Sequence, residues 1–168
     1  MKRIYMYFSI LLFILALQIS SAQGPKGATF GFGIMFGDPT GGTLKFWTNR
    51  ENAFVVDVGS SYFGGLRFNG DYLWHFDAFN SQVVKLYAGP GVVVGIGEGH
   101  SYWYKEDHKK FYWREHGDAG IGVRGVFGVN IIPRRSPLEI FLELGVLIGV
   151  SPAFGTGVDT GIGIRFYP

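Results

Sequence analysis

From residue 30 onward, large apolar side chains recur at every second position. In Phe30–Gly37 they are Phe30, Phe32, Ile34 and Phe36, and the places between hold Gly31, Gly33 and Met35. A two-residue period sends alternate side chains to opposite faces of an extended chain, so it selects strands over helices. The pattern returns along the whole chain. Leu44 and Phe46 alternate with Thr43, Lys45 and Trp47; Phe54, Val56, Val58 and Tyr62 with Val55, Asp57, Gly59 and Ser61. Leu66, Phe68, Tyr72, Trp74 and Phe76 alternate with Arg67, Asn69, Asp71 and His75. Three further runs lie at 83–97, 119–131 and 138–150, and an eighth at 159–167.

Eight strands are therefore expected, several near the nine to eleven residues that cross a bilayer at a tilt. Polar turns, "TNREN", "FDAFNSQ" and "IPRRSP", follow the second, fourth and sixth. "GDPTGG", "SYFGG", a long charged-aromatic segment and "SPAFGTG" follow the odd-numbered ones. Two kinds of connection in strict alternation fit the two rims of an all-β, eight-stranded antiparallel up-and-down barrel.

Alternation does not say which face is inside; volume does. An eight-stranded barrel has an interior just wide enough to be filled by side chains, and the bulky apolar set would overfill it. The other face carries roughly half of the chain's 27 glycines among a few long polar groups. The apolar face is therefore expected to look outward into lipid, making the barrel transmembrane, with glycine leaving room inside. Inward charges would then be Lys45, Arg67, Lys85, Arg124 and Arg165 against Asp57, Asp71, Asp77, Glu139, Glu143 and Asp159, with His75 in an ion pair among the carboxylates. Buried charge is tolerated when paired, so these predict an ion-paired plug in place of an open channel. Pro90, which removes a ladder hydrogen bond, predicts a bulge or bend.

Ahead of the strands, Lys2 and Arg3 precede an apolar run through Ile10–Leu17 and then Ser20-Ser21-Ala22. That order predicts a cleavable secretory signal over 1–22, a short periplasmic lead-in over 23–27, and one barrel domain over 28–168. The signal holds two of the 15 basic residues and none of the 13 acidic ones, so the remainder is formally neutral and nothing in it points to nucleic acid. With no cysteine, neither disulfides nor thiolate chemistry is available. No later stretch approaches eighteen consecutive apolar residues, yet mean hydropathy is +0.18 and 17% of residues are aromatic.

The segment Glu98–Asp118 exceeds what closing a barrel requires. Tyr102, Trp103 and Tyr104 lead to a charged tip with Lys105, Lys109 and Lys110; Phe111, Tyr112, Trp113 and Arg114 follow. This is either a surface ridge for binding an extracellular or host protein, or an interfacial aromatic girdle with solvated charges. His100, His108 and His116 share the segment, but their spacing does not build a metal site, and no metal or cofactor is expected. The chain has no GxSxG motif and no P-loop. His100 and the adjacent Ser101 would point to opposite sides of a strand. A non-enzymatic role is therefore expected.

With these strands laid out, the chain resembles the small outer-membrane β-barrels typified by OmpX and the OmpA membrane domain. More narrowly, "GFGIMFGDPTGGTLKFW", "AFVVDVGSSYF", "GDYLWHF" and "LYAGPGVVVGIG" resemble a spirochaete family of small barrels of unknown function. The resemblance implies a bacterial outer-membrane location, contact with outer-membrane lipids, insertion by the barrel-assembly machinery, and surface loops that bind host proteins in some members. Such barrels commonly end on an aromatic residue; here Phe166-Tyr167-Pro168 closes the chain, and outward Ile162, Ile164 and Phe166 fit that end signal two places early. The expected role is membrane structure with adhesion or ligand binding through the 98–118 loop. The alternatives are a soluble periplasmic lipocalin-like barrel around an apolar ligand and, further off, a lipid-modifying outer-membrane enzyme.

Overall fold

The computed structural model describes residues 25–81, 83–97, 119–133, 135–151 and 155–168. The expected signal segment 1–22 lies outside them, as do Tyr102, Trp103, Tyr104, Lys105, Lys109, Lys110, Phe111, Tyr112, Trp113 and Arg114, with His100, His108 and His116.

A short 3-10 turn, Pro25–Gly27, leads into eight strands: β1 Phe30–Gly37, β2 Thr40–Trp47, β3 Asn52–Ser61, β4 Gly64–Phe76, β5 Val84–Ile96, β6 Gly120–Ile131, β7 Leu138–Ser151 and β8 Gly155–Phe166. Each pairs with the next, and β1 pairs with β8 from Phe32↔Phe166 to Gly37↔Gly161, so the sheet closes into an antiparallel barrel without free edges. The start of β1, the end of β8 and the turns after β2, β4 and β6 lie at one end of the barrel, the termini end. The end of β1, the start of β8 and the strand ends facing them lie at the other, the loop end.

The faces point as volume requires. Phe32, Leu142 and Ile164 are 46%, 53% and 39% exposed on the outer surface, whereas Arg124 and Glu143 are 3% and 5% exposed inside. Inward glycines sit beneath large neighbours. A Cβ at Gly31 would come within 2.6 Å of the Tyr167 ring, and one at Gly163 within 2.5 Å of the Phe141 ring. At Gly128 and Gly145 it would run into Tyr87 and Asp159. The lumen is filled by alternating nothing with something long.

Pro90 does not produce the expected bulge. The β4–β5 register is the same on both sides of it, Asp71↔Gly91 and Trp74↔Ala88, and only the two intervening pairs are absent. Flanking Gly89 and Gly91 let the strand pass proline's missing donor without inserting a residue. The bulges fall instead at Ser60/Ser61 and Ile121/Gly122, both toward the loop end, where strands bend into their connections. Tyr62 accordingly lies past the end of β3, not within it.

Candidate functional site

The polar column inside the barrel divides into two knots. Toward the termini end the centre is Glu139 on β7. Lys45 of β2 donates to its Oε1 at 2.8 Å, and Arg165 of β8 donates to the same oxygen at 2.9 Å. The Tyr167 hydroxyl donates to Oε2 and accepts from Trp47 Nε1 at 3.1 Å. Arg165 also donates through Nε and Nη2 to Thr43 Oγ1 and stacks 3.7 Å above the Phe141 ring, while Lys45 sits 4.3 Å above Trp47. One carboxylate thus holds two cations, each resting on an aromatic face.

His75 belongs to this knot but not as the expected ion-pair partner. Its Nε2 lies 3.0 Å from Lys45 Nζ and its Nδ1 3.0 Å from the Glu51 carbonyl. An ammonium only donates and a carbonyl only accepts. Nε2 therefore carries no proton, Nδ1 does, and the ring is neutral.

Toward the loop end, Arg124 of β6 donates to Glu143 Oε1 at 2.9 Å and lies 3.3 Å from Asp71 and 3.7 Å from Asp159. Tyr87 donates to the other Glu143 oxygen. Arg67 of β4 donates to Asp159, donates through Nε to Asn69 Oδ1 at 2.6 Å, and lies 3.5 Å from Asp38 in the β1–β2 turn. Burial, as the largest influence, raises the Asp38 carboxyl above the usual carboxylate range, against the pull of Ser61 and Arg67.

Three residues of the expected network are not ion-paired within the lumen. Lys85 is partly exposed and faces Asp77 at 3.7 Å; Asp77 is exposed, so this pair sits on the termini-end rim and not in the lumen. Asp57 is fully buried, but no lysine or arginine lies within ion-pair distance and neither carboxylate oxygen has a hydrogen-bond partner among the described residues. Lys45, Arg67, Asp71, Arg124, Glu139, Glu143, Asp159 and Arg165 lie within ion-pair distance of one another inside the barrel.

Three contributors lie outside the strands. Asp38 enters from a turn. Phe63, just past β3, folds back into the loop-end mouth against Val93 and Leu147, while the Tyr62 hydroxyl donates to the Val158 carbonyl. Tyr167, just past β8, folds into the termini-end mouth beside Trp47 and Ala53. Both corks lie just beyond a strand end yet keep its inward phase, Phe63 after Val55, Asp57 and Gly59, and Tyr167 after Asp159, Gly161, Gly163 and Arg165. For Tyr167 a signal exists in Gly31, whose missing side chain leaves room for that ring.

No protein-family profile and no curated protein sequence matches the chain. Among solved structures the barrel is similar to the N-terminal β-barrel domain of Pseudomonas aeruginosa OprF, with a TM-score of 0.60 and 11% identity over 86% of this chain and 98% of that one. At that identity the similarity establishes the eight-stranded barrel fold alone.

Proposed function

We propose that the chain is a non-enzymatic integral barrel of a bacterial outer membrane, with a packed charged lumen and with the loop-end connections at the cell surface. The observation that carries this reading is the closed outer wall. Phe36, Leu44, Phe54, Phe76, Leu144 and Ile162 are exposed on every side of it. Soluble monomers rarely expose apolar patches beyond a few hundred Å². A sheet without edges meets the bilayer's demand that every backbone group be satisfied internally. A 12-residue strand such as β6 or β8 tilted near 45° spans roughly 28 Å, close to the hydrocarbon thickness.

The lipocalin-like alternative needs its apolar cavity inside. Among the described residues the lumen is lined by charged groups, and an apolar groove of about 750 Å³ lies on the outer wall, where Gly70, Pro90 and Gly125 place no bulk between Phe54, Tyr72, Val92, Val123 and Val146. An enzymatic role finds little to work with in the lumen, since His75 is spent on Lys45 and a backbone carbonyl.

Within this reading the 98–118 loop binds an extracellular protein through Tyr102–Trp113. Its sequence, two aromatic triplets flanking a basic tip, supports that role. The membrane reading predicts recovery in the outer-membrane fraction and heat-modifiable gel mobility after detergent extraction; recovery as a soluble periplasmic protein contradicts it. Deleting Tyr102–Trp113 should abolish adhesion to host matrix proteins while heat-modifiability persists. Unchanged adhesion would leave those aromatics as an interfacial girdle.

A further inference from the structure

The two ends of the outer wall differ. At the termini end the outermost outward residues of five adjacent strands, β8 through β4, are Phe166, Phe30, Phe46, Phe54 and Phe76. The Phe30 and Phe46 rings pack together with centroids 4.8 Å apart. At the loop end Phe36 is the one aromatic in such a place, and Leu66, Ile96, Ile121 and Val150 are aliphatic. Aromatic side chains gather where hydrocarbon meets headgroups. On the membrane reading above, from which this inference proceeds, the termini-end turns therefore stand in a headgroup layer.

Those turns are basic. Around this rim the sequence places Lys26, Arg50, Lys85, Arg134 and Arg135 against Glu51 and Asp77, an excess of three positive charges. Asp77 is answered by Lys85 at 3.7 Å. Arg50, in the β2–β3 turn, and Arg135, in the β6–β7 turn, are exposed. Neither lies within ion-pair distance of an acid among the described residues. The two turns sit on opposite sides of the barrel, so these charges face what surrounds it and not each other. We propose that the termini-end rim binds anionic phospholipids, Arg50 and Arg135 holding headgroup phosphates and the rim phenylalanines packing on the acyl chains beneath. A guanidinium meets a phosphate through two parallel hydrogen bonds. A zwitterionic headgroup carries its own cation beside the phosphate, so the unanswered positive charge of the rim selects lipids with net negative charge.

Trp74 reports on this rim. It is exposed on the outer wall of β4 opposite Asn52, and the next residue, His75, donates its backbone N–H to the Glu51 carbonyl beside Arg50. The full barrel retaining only Trp74 is refolded into phosphatidylcholine bilayers that hold a minor fraction of acyl-brominated lipid. That lipid is either phosphatidylglycerol or, in the control, phosphatidylcholine. The phosphatidylglycerol should quench as though enriched about fivefold around the barrel. Arg50→Gln combined with Arg135→Gln should remove more than half of that excess, with heat-modifiable mobility kept. Equal quenching by the two lipids, or an excess that the double variant keeps, would overturn the proposal and leave the membrane reading in place. Absence of quenching by either lipid would overturn the membrane reading, and the proposal with it. The comparison of lipids on unaltered turns decides the matter even if the double variant does not fold.

Discussion

The two halves of the lumen use the same residue types to different ends. At the termini end every buried side-chain oxygen and nitrogen of Lys45, His75, Glu139 and Arg165 has a partner, and aromatic rings cover the cations. Toward the loops, the unpartnered buried atoms gather on Asp38, Asp57, Arg67, Asn69, Asp71 and Arg124, and several ion pairs are long. A satisfied knot specifies one arrangement and resists change, whereas a partly satisfied one leaves room for something else. The first fixes the termini end in one arrangement, and the second holds the loop end less tightly.

The largest expected effect is at the first knot. Glu139→Gln removes the one anion within ion-pair distance of Lys45 and Arg165 among the described residues and leaves two buried cations poorly matched, a loss of about 3–5 kcal/mol. Urea unfolding in detergent micelles or bilayers measures it. A loss under about 1 kcal/mol would show that the knot is dispensable. Next comes Gly31→Ala, whose Cβ would meet the Tyr167 ring at 2.6 to 2.9 Å. Expelling that cork or straining β1 should remove about 1–3 kcal/mol, and the same unfolding curves read it. Tyr167→Phe keeps the ring but leaves Trp47 Nε1 and a Glu139 oxygen short of a partner, for about 1–2 kcal/mol. The smallest effect lies on the outer wall, where Gly125→Ala meets nothing within 4 Å and should fall within about 0.5 kcal/mol of wild type. A loss as large as that of Glu139→Gln would contradict the open placement of that glycine.

The strand count, the inside-out orientation and the packing role of glycine were legible because they depend on local period and on volume. Partnering was not. Lys45 and Glu139 are 94 positions apart, and Arg67 and Asp159 are 92 apart, so the sequence showed a near-even charge count without showing which cation meets which anion. His75 misled for the same reason: only the fold shows that its nearest charged neighbour is a lysine. Phe63 and Tyr167 keep the inward phase of β3 and β8, so alternation pointed to them; that they plug the mouths depends on packing against Val93 and Leu147 and against Trp47 and Ala53, which lie far off in sequence. Asp38, in a turn, had no phase to read.

Orientation of the wall is the central claim, and its most direct test is quenching of tryptophan fluorescence by lipids brominated on their acyl chains. Trp74 is 48% exposed on the outer face and Trp47 is 2% exposed in the lumen. In barrels refolded into such bilayers, a variant retaining only Trp74 should be strongly quenched and one retaining only Trp47 should not, both with heat-modifiable mobility. Equal quenching, or quenching of Trp47 alone, would contradict the account.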